Sequence, residues 1–327
     1  MPLSDYFRGD KNNKFLYYLK NNLRWALIPN AFYRRQLATT LAELLNRPDR
    51  DYIEQRVAYY NKLNEPTPLP QDAPPLAEHR YRLKNISTYF FDTFEYTRWF
   101  PPTLRWLHLP GDVIHVPDHP TIVKSRPVIP PATDNNANSV LLNLNKLRHF
   151  IFINDPTPFD VKQPKAIFRG AVYRALRKRF FERIFGQPLC DIAATGAKPD
   201  APREWLGKKL SIRDHLNYQF IFALEGNDVA SNLKWVMSSN SAAVMPAPTY
   251  ETWFMEARLL PNVHYIEVKS DFSDVEDRLR YYIAHPEEAK AIIHNAHDHV
   301  AQFQNPKRER LISLLVLQKY FHMTGQL

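Results

Sequence analysis

The chain of 327 residues is poor in cysteine and glycine and has no long apolar run. Its one cysteine, Cys190, excludes an internal disulfide and fits a reducing compartment, so we expect a cytoplasmic location. The opening residues are polar, and the longest late apolar run, residues 311–317, is far too short to span a bilayer. Any membrane contact is therefore expected to be peripheral.

Several short motifs are also missing. The chain has no Gly-Lys-Ser/Thr phosphate loop and no G-x-G-x-x-G, which removes the main support for kinase-like and dinucleotide-binding interpretations. His294, His297 and His299 lie close together in sequence, but they have no cysteine or acidic partner at a recognised zinc spacing. We interpret them as a solvated or boundary face of a helix.

The chain has an ordinary globular composition with an excess of basic over acidic residues. There are 43 basic and 34 acidic residues, a formal charge of +9 and a pI of about 9.4. Such a surface attracts nucleic acid, anionic lipid or phosphate-bearing small molecules. A basic nucleic-acid-binding protein without catalytic activity is one hypothesis, supported by aromatics beside basic residues in 173–185, although helical periodicity explains those aromatics equally well.

The length and pattern predict two domains, 1–163 and 164–327. In the first, residues 11–64 have the spacing of two or three helices, and a proline-rich connector follows at 65–75. Short strands are predicted at 112–116, 150–153 and 166–168.

The second half alternates strands and helices, which predicts an α/β fold with a parallel sheet covered on both faces. The predicted strands are 166–168, 220–224, 242–245 and 265–268, and the predicted helices are 172–185, 229–239 and one starting at Pro286. The last segment, residues 308–320, is apolar enough to return to the first domain.

Polar turns lie beside three of these strands, two after a strand and one before it, and ligands of open α/β sheets bind outside the carboxyl ends of strands. The first turn combines Gly170 with basic side chains that suit an anion, although these could be only solvated surface charges. The second turn combines Gly226 with Lys234 and also suits an anion, although a plain helix cap is the competing interpretation. The third precedes strand 242–245 and could place hydroxyls beside a nucleotide, or be only a turn. The candidate residues are Arg169, Gly170, Tyr173, Arg174, Glu225, Gly226, Ser231, Lys234, Asn240 and Ser241.

These residues fall in longer runs that resemble glycosyltransferase family 90. The runs are residues 224–226, Ser231, Lys234, and residues 238–241, 262–266 and 269–274, with residues 168–170 extending the resemblance backwards. The family includes protein O-glucosyltransferases, fungal capsule xylosyltransferases and bacterial lipopolysaccharide A proteins, and we expect the last type here. Residues 116–120 (VPDHP) resemble the family's Asp-aromatic-Pro segment.

The resemblance implies a GT-B type fold, in which two Rossmann-like domains face a cleft, here with extra N-terminal helices. It implies an inverting hexosyl- or pentosyltransferase that takes a UDP-sugar, needs no metal or other cofactor, and acts on a lipopolysaccharide or other glycan or glycolipid acceptor. We expect it at the inner face of the cytoplasmic membrane, with an anionic membrane surface as a candidate contact and no nucleic-acid partner. The metal-dependent GT-A alternative has one candidate Asp-x-Asp, residues 49–51, and capping of a helix explains it better.

By the same resemblance Asp118 is the catalytic base, and Arg169, Ser231 and Lys234 hold the donor's diphosphate. Pro117 and Pro120 restrict the backbone around Asp118, although an aspartate between prolines is often only a turn former. Asn232 departs from the arginine that many relatives carry after the serine, so the diphosphate contacts are expected to shift toward Arg174 or Lys234. Glu251 lies near a family Tyr-Glu-Trp-Phe motif but is offset by one residue.

Overall fold

The computed structural model of the protein describes residues 13–79, 87–130, 136–196 and 201–327. These residues form two compact units. We call one the N-terminal unit; it contains the described part of Asn12–Arg148 together with Tyr250–Phe254 and Phe303–Leu327. We call the other the α/β unit; it contains the described residues of His149–Thr249 and Met255–Gln302.

The regular elements of the described stretches are numbered here in chain order. The α-helices are α1 (Lys14–Leu27), α2 (Asn30–Ala42), α3 (Arg50–Tyr60), α4 (Ser87–Thr97), α5 (Lys146–His149), α6 (Ala175–Ile184), α7 (Ile212–His215), α8 (Leu233–Met237), α9 (Val275–Ala284), α10 (Pro286–Ala301) and α11 (Pro306–Met323). The strands are β1 (His108–Leu109), β2 (Thr121–Val123), β3 (Ser125–Pro127), β4 (Ser139–Leu141), β5 (Gln163–Gly170), β6 (Cys190–Ala194), β7 (Tyr218–Phe222), β8 (Ala242–Met245), β9 (Tyr250–Thr252) and β10 (Ile266–Glu267).

The N-terminal unit begins with helices α1 to α3, as predicted for residues 11–64. Its core includes Tyr60 of α3, whose ring stacks on Trp253 at 3.8 Å, and Arg56, which forms a buried ion pair of 2.5 Å with Glu309 of α11. Strands β1, β2 and β4 form a parallel sheet, and β3 pairs antiparallel with β9. Helices α1 to α3 and helix α11, far apart in sequence, thus belong to one unit.

Two strand predictions in the first half are wrong. Residues 112–116 and 150–153 form no regular structure. Gly111 has a positive φ of 109°, and the prolines that follow cannot donate to a ladder, so the chain turns here rather than pairing. After this turn, pairing resumes at β2, whose three residues are β-branched and buried.

The α/β unit contains a five-stranded parallel sheet in the order β10-β8-β7-β5-β6, which confirms the predicted α/β class. Strand β8 has the predicted bounds, and β5 includes the predicted 166–168. Helix α6 covers the sheet through Phe180, whose ring lies 5.5 Å from Phe168 of β5 and 4.7 Å from Phe222 of β7. These aromatic contacts fix the helix that follows the first polar turn.

Helix α8 is shorter than the predicted 229–239, because residues 226–232 form turns. Asn232 stands before α8 without capping it; its amide nitrogen donates to the Phe222 carbonyl at 2.9 Å. Helix α10 begins at Pro286 as predicted, with Glu287 and Glu288 in its first turn. Among the helices described, none combines the length and apolar character needed to cross a bilayer.

Candidate active site

The candidate site lies at the carboxyl edge of the parallel sheet, where the loops after β5, β7 and β8 meet. We call these loops, residues 171–174, 223–232 and 246–249, the rim. Because all five strands run in parallel, their carboxyl ends lie at one edge of the sheet. In open α/β sheets this is where ligands bind.

Arg177 of α6 holds the first two loops of the rim together. Its guanidinium donates to the carbonyls of Ala171 at 3.0 Å, Leu224 at 2.7 Å and Glu225 at 3.0 Å. A Cβ added to Gly226 would lie 3.2 Å from this guanidinium, and one added to Gly170 would lie 2.8 Å from the Phe168 ring. Both predicted glycines therefore stand where a side chain would displace a neighbour.

Tyr173 and Arg174 also meet the second loop, through Asn227. The Arg174 Nε donates to the Asn227 Oδ1 at 2.7 Å, and the Tyr173 hydroxyl lies 3.3 Å from the same oxygen. Asn227 therefore bridges the first and second loops of the rim. Arg174 is exposed, so it presents positive charge to solvent at the rim.

Glu225 joins the second loop to the third. Its carboxylate accepts from the backbone N–H of Thr249 at 2.9 Å and from the Thr249 hydroxyl at 2.5 Å. A cavity of about 80 Å³ opens between these loops, lined by Leu176, Val229, Leu233, Pro246, Thr249 and Glu256 among others. Because ligand pockets usually measure about 300–1,000 Å³, this cavity admits only a small part of a nucleotide sugar.

Lys234 lies beneath the rim and is fully buried. Its ammonium forms an ion pair with the carboxylate of Glu256, which lines the cavity. Ser231 lies half-buried in the turn before α8. Gly226, Ser231 and Lys234 thus lie in the segment that joins β7 to α8, and the Lys234 ammonium is paired with a carboxylate.

Arg169 points to a different set of partners. Its guanidinium donates to the Asp191 carboxylate at 2.6 Å and to the Asp191 carbonyl at 2.8 Å, and the Tyr218 hydroxyl donates to the other Asp191 oxygen at 2.5 Å. Burial opposes ionisation of Asp191, but hydrogen bonds from Tyr218 and Arg169 outweigh it and lower its pKa. Burial and the bond to Asp191 raise the pKa of Tyr218 to about 12. The sequence did not reveal this network because β6 was not predicted.

Asn240 and Ser241 are not brought to the rim, because they precede β8 and lie at the amino edge of the sheet. Asn240 donates through its backbone and side chain to Asp155, at 2.9 and 2.8 Å. Ser241 is buried, donates to the Tyr218 carbonyl at 2.7 Å and accepts from Lys162 at 2.9 Å. Their observed contacts join the start of β8 to neighbouring segments.

The N-terminal unit carries the predicted base. Asp118 lies in the loop between β1 and β2 with an exposed side chain. The Asn138 side chain donates to the backbone carbonyls of Pro117 at 3.1 Å and Asp118 at 2.9 Å, so the backbone is held while the carboxylate faces solvent. An exposed carboxylate can take a proton from a hydroxyl that docks beside it.

Two other carboxylates of this unit have structural partners. Glu251 is 2% exposed and accepts from the buried Arg126 at 2.7 Å and from the Tyr59 hydroxyl. Asp49 stands before α3, but its side chain does not cap the helix as predicted; it binds Arg47 through two bonds of 2.7 Å. The competing arginine explains why the expected cap is absent.

The histidines near the end of α10 do not converge. His297 bonds to the Ser239 carbonyl at 2.8 Å, His299 is buried, and the exposed His294 lies 3.7 Å from Asp298. Across the residues whose positions are described, no three His, Cys, Asp or Glu side chains are arranged to hold a metal ion. The predicted solvated or boundary face fits His294 and His297 but not His299, which lies on the buried side of the helix.

The sequence predicted several residues of the rim, but not the three side chains that organise it, Arg177, Thr249 and Glu256. Arg177 follows Arg174 by one helical turn, which was the available signal. Thr249 ends a run with two prolines, and Glu256 lies 22 residues after its lysine partner. Neither spacing indicates a contact before the fold is known.

The model of "Glycosyl transferase family 90" matches residues 140–323, which include the whole rim but not Asp118. The chain is 41% identical over 313 residues to the "O-glucosyltransferase LpsA" of Dichelobacter nodosus, covering 95% of this chain and 96% of that protein. It is 28% identical over 164 residues to the "Protein O-glucosyltransferase 3" of Rattus norvegicus, covering 49% of this chain and 32% of that protein.

Proposed function

This chain belongs to glycosyltransferase family 90, and we propose that it transfers a sugar from a UDP-sugar to a hydroxyl of a lipopolysaccharide or other surface glycan, with inversion at the anomeric carbon. The observation that carries the proposal is the rim, where three loops tied by Arg177 and Glu225 present Arg174 at the ligand-binding edge of a parallel sheet. Family membership favours transferase activity over the nucleic-acid-binding hypothesis. Both relatives are named O-glucosyltransferases, which supports glucose as the sugar.

On the donor side, we propose that the rim binds the diphosphate of the donor. The departing UDP gains negative charge, and fixed cations and backbone N–H groups stabilise such charge without rearranging during the reaction. We assign this role to Arg174, an exposed cation of the rim. Arg177 is a positioning residue, because its guanidinium acts on loop carbonyls and thereby aligns the loops.

We propose a role for Lys234 that differs from the diphosphate contact implied by the resemblance. Its charge is offset by Glu256, so the pair adds little net charge for a diphosphate. The pair lies at the wall of the cavity, where displacement of either partner would leave a buried charge. We propose that it sets the shape of the donor pocket, while Ser231 and Gly226 approach the donor directly.

On the acceptor side, we propose that Asp118 takes the proton from the attacking hydroxyl. General-base assistance of this kind contributes about 10²- to 10⁴-fold. The support is the resemblance of residues 116–120 and the exposure of the carboxylate on a backbone held by Asn138. The proposal includes the GT-B arrangement, with two Rossmann-like domains facing a cleft, and a reaction without a metal.

A donor panel tests this function. The purified chain is incubated with UDP-glucose, UDP-galactose and UDP-xylose and a lipopolysaccharide core acceptor, and UDP release is measured with and without chelator. We expect release with UDP-glucose that survives chelation and falls about 10²-fold or more in Asp118→Asn. Wild-type turnover in Asp118→Asn refutes the assigned base, and loss of turnover on chelation refutes the metal-free reaction.

A further inference from the structure

Helix α1 of the N-terminal unit is amphipathic with its polar side turned toward the protein. The Tyr17 hydroxyl donates to Asp92 of α4 at 2.7 Å, and Arg24 forms an ion pair of 2.9 Å with Glu95 of the same helix. Asn21, on the same side, donates to the Tyr17 carbonyl. Polar groups therefore attach α1 to its neighbour, where a surface helix ordinarily uses its apolar stripe.

The apolar side of α1 faces solvent. Leu16, Leu19, Leu23 and Leu27 recur at steps of three and four residues and are 44%, 43%, 49% and 71% exposed. No residue of α1 is buried. We call these four leucines the outer stripe. Contiguous exposed apolar surface of this kind marks an interaction site.

The charge around the outer stripe has one sign. Residues 13–42, which form α1 and α2, contain five basic residues and no acidic one: Lys14, Lys20, Arg24, Arg34 and Arg35. Arg24 is paired with Glu95, and the other four are exposed. Phe15 of α1 and Phe32 of α2, 71% and 54% exposed, add further exposed apolar side chains to these two helices.

We propose that the outer stripe binds the surface of an anionic lipid bilayer, with α1 lying in the interface and the basic residues against the headgroups. An apolar helix face flanked by lysine and arginine binds such surfaces through buried area and electrostatic attraction together. A second copy of the chain fits the stripe less well, because it would bring two uniformly basic segments against each other. The attraction to anionic headgroups has no such penalty.

This inference rests in part on the proposed function, because it supplies a way for the enzyme to reach an acceptor held in a membrane. Lipid binding is nevertheless measured without any sugar donor. Failure of lipid binding would leave sugar transfer to a soluble acceptor intact, and failure of sugar transfer would leave lipid binding intact. The two proposals can therefore be refuted separately.

The test is flotation of the whole protein with vesicles of phosphatidylcholine alone or with about a quarter phosphatidylglycerol. We expect binding to the anionic vesicles that weakens as salt rises from about 0.1 M to about 1 M, where the Debye length falls from about 10 Å to about 3 Å. Leu19→Gln with Leu23→Gln should weaken binding at least about tenfold. Arg34→Gln with Arg35→Gln should weaken binding to anionic vesicles about thirtyfold, because each cation near the surface contributes about 1 kcal/mol and about 1.4 kcal/mol corresponds to a factor of ten.

The matched control is Leu206→Gln with Leu260→Gln, two leucines of the α/β unit that are 52% and 55% exposed. This variant should bind vesicles like the wild type. As a measurement that needs no variant, hydrogen exchange of the wild type should slow across Lys14–Leu27 when anionic vesicles are added. Equal binding by the leucine variant and the wild type, or unchanged exchange in α1, overturns the proposal. A dimer that becomes a monomer in the Leu19, Leu23 variant also overturns it in favour of a second copy.

Discussion

Arg177 is the residue whose replacement most directly tests how the rim is held. In Arg177→Met the carbonyls of Ala171, Leu224 and Glu225 lose donors at 3.0, 2.7 and 3.0 Å. A hydrogen bond to a charged group contributes about 1.5–3 kcal/mol, but the Arg177 side chain is only half-buried, so water replaces part of the loss. We expect the free energy of unfolding to fall by about 2–4 kcal/mol.

The same substitution should impair the donor step beyond its effect on stability. The loops that carry Arg174 and Gly226 lose their common anchor, so the donor's diphosphate should bind a less ordered rim. We expect kcat/KM for the UDP-sugar to fall about tenfold to a hundredfold, with a rise in donor KM and little change in acceptor KM. Such a loss corresponds to about 1.4–2.8 kcal/mol.

Urea unfolding and steady-state UDP release measure the two effects. Arg183→Met is the control, because it removes the same charge from an exposed position in the same helix. Arg177→Lys should recover part of the stability, since a lysine keeps the charge but lacks the planar fork of donors. If Arg177→Met unfolds and turns over like Arg183→Met, Arg177 does not organise the rim.

Three further outcomes are expected. Asp118→Asn should lower kcat by about 10²- to 10⁴-fold. The free energy of unfolding should change little, because the side chain is exposed. Steady-state kinetics and unfolding curves check this, and a large loss of stability would contradict it. Lys234→Met should lower the free energy of unfolding in urea by about 3–5 kcal/mol, because it leaves Glu256 as an uncompensated buried charge. The double variant Lys234→Met, Glu256→Gln should lose less stability. An equal loss in both variants would argue against the pair. Burial and the neighbouring His79 lower the pKa of His108 to about 3. In the unfolded state a histidine has a pKa of about 6.5, so the unfolded chain binds this proton first as the pH falls. The free energy of unfolding therefore decreases as the pH drops below about 6.5. Between about pH 7.5 and pH 5.5 the wild type should therefore lose about 1.4 kcal/mol more than His108→Phe, which keeps the stack on Trp106. Parallel pH profiles of the two proteins would contradict the assignment.

The sequence predicted the α/β unit well where the pattern was local. Strand β8 is a run of four buried apolar residues with a polar turn before it and prolines after it, and α10 starts at a proline followed by two glutamates. These signals act within a few residues, so they survive without knowledge of the fold. Strand β6 was missed because its alanines carry little strand preference, and pairing with β5 decides its conformation.

The candidate site was predictable only in part, for a related reason. Gly170 and Gly226 were recognised because a missing side chain at a turn has a direct physical meaning. The partners of Lys234 and Arg169 were not, because ion pairs with Glu256 and Asp191 depend on tertiary contacts 22 residues apart in sequence. Asn240 and Ser241 precede their strand rather than follow it, which places them at the amino edge of the sheet, away from the rim.

The central claim is that the rim at the carboxyl edge of the parallel sheet binds the diphosphate of a UDP-sugar. A crystal structure of the protein with UDP tests it most directly. We predict the diphosphate within hydrogen-bonding distance of Arg174 and of backbone N–H groups in residues 226–232. A diphosphate bound instead beside Asn240 and Ser241, or a nucleotide bound away from the α/β unit, would contradict the account.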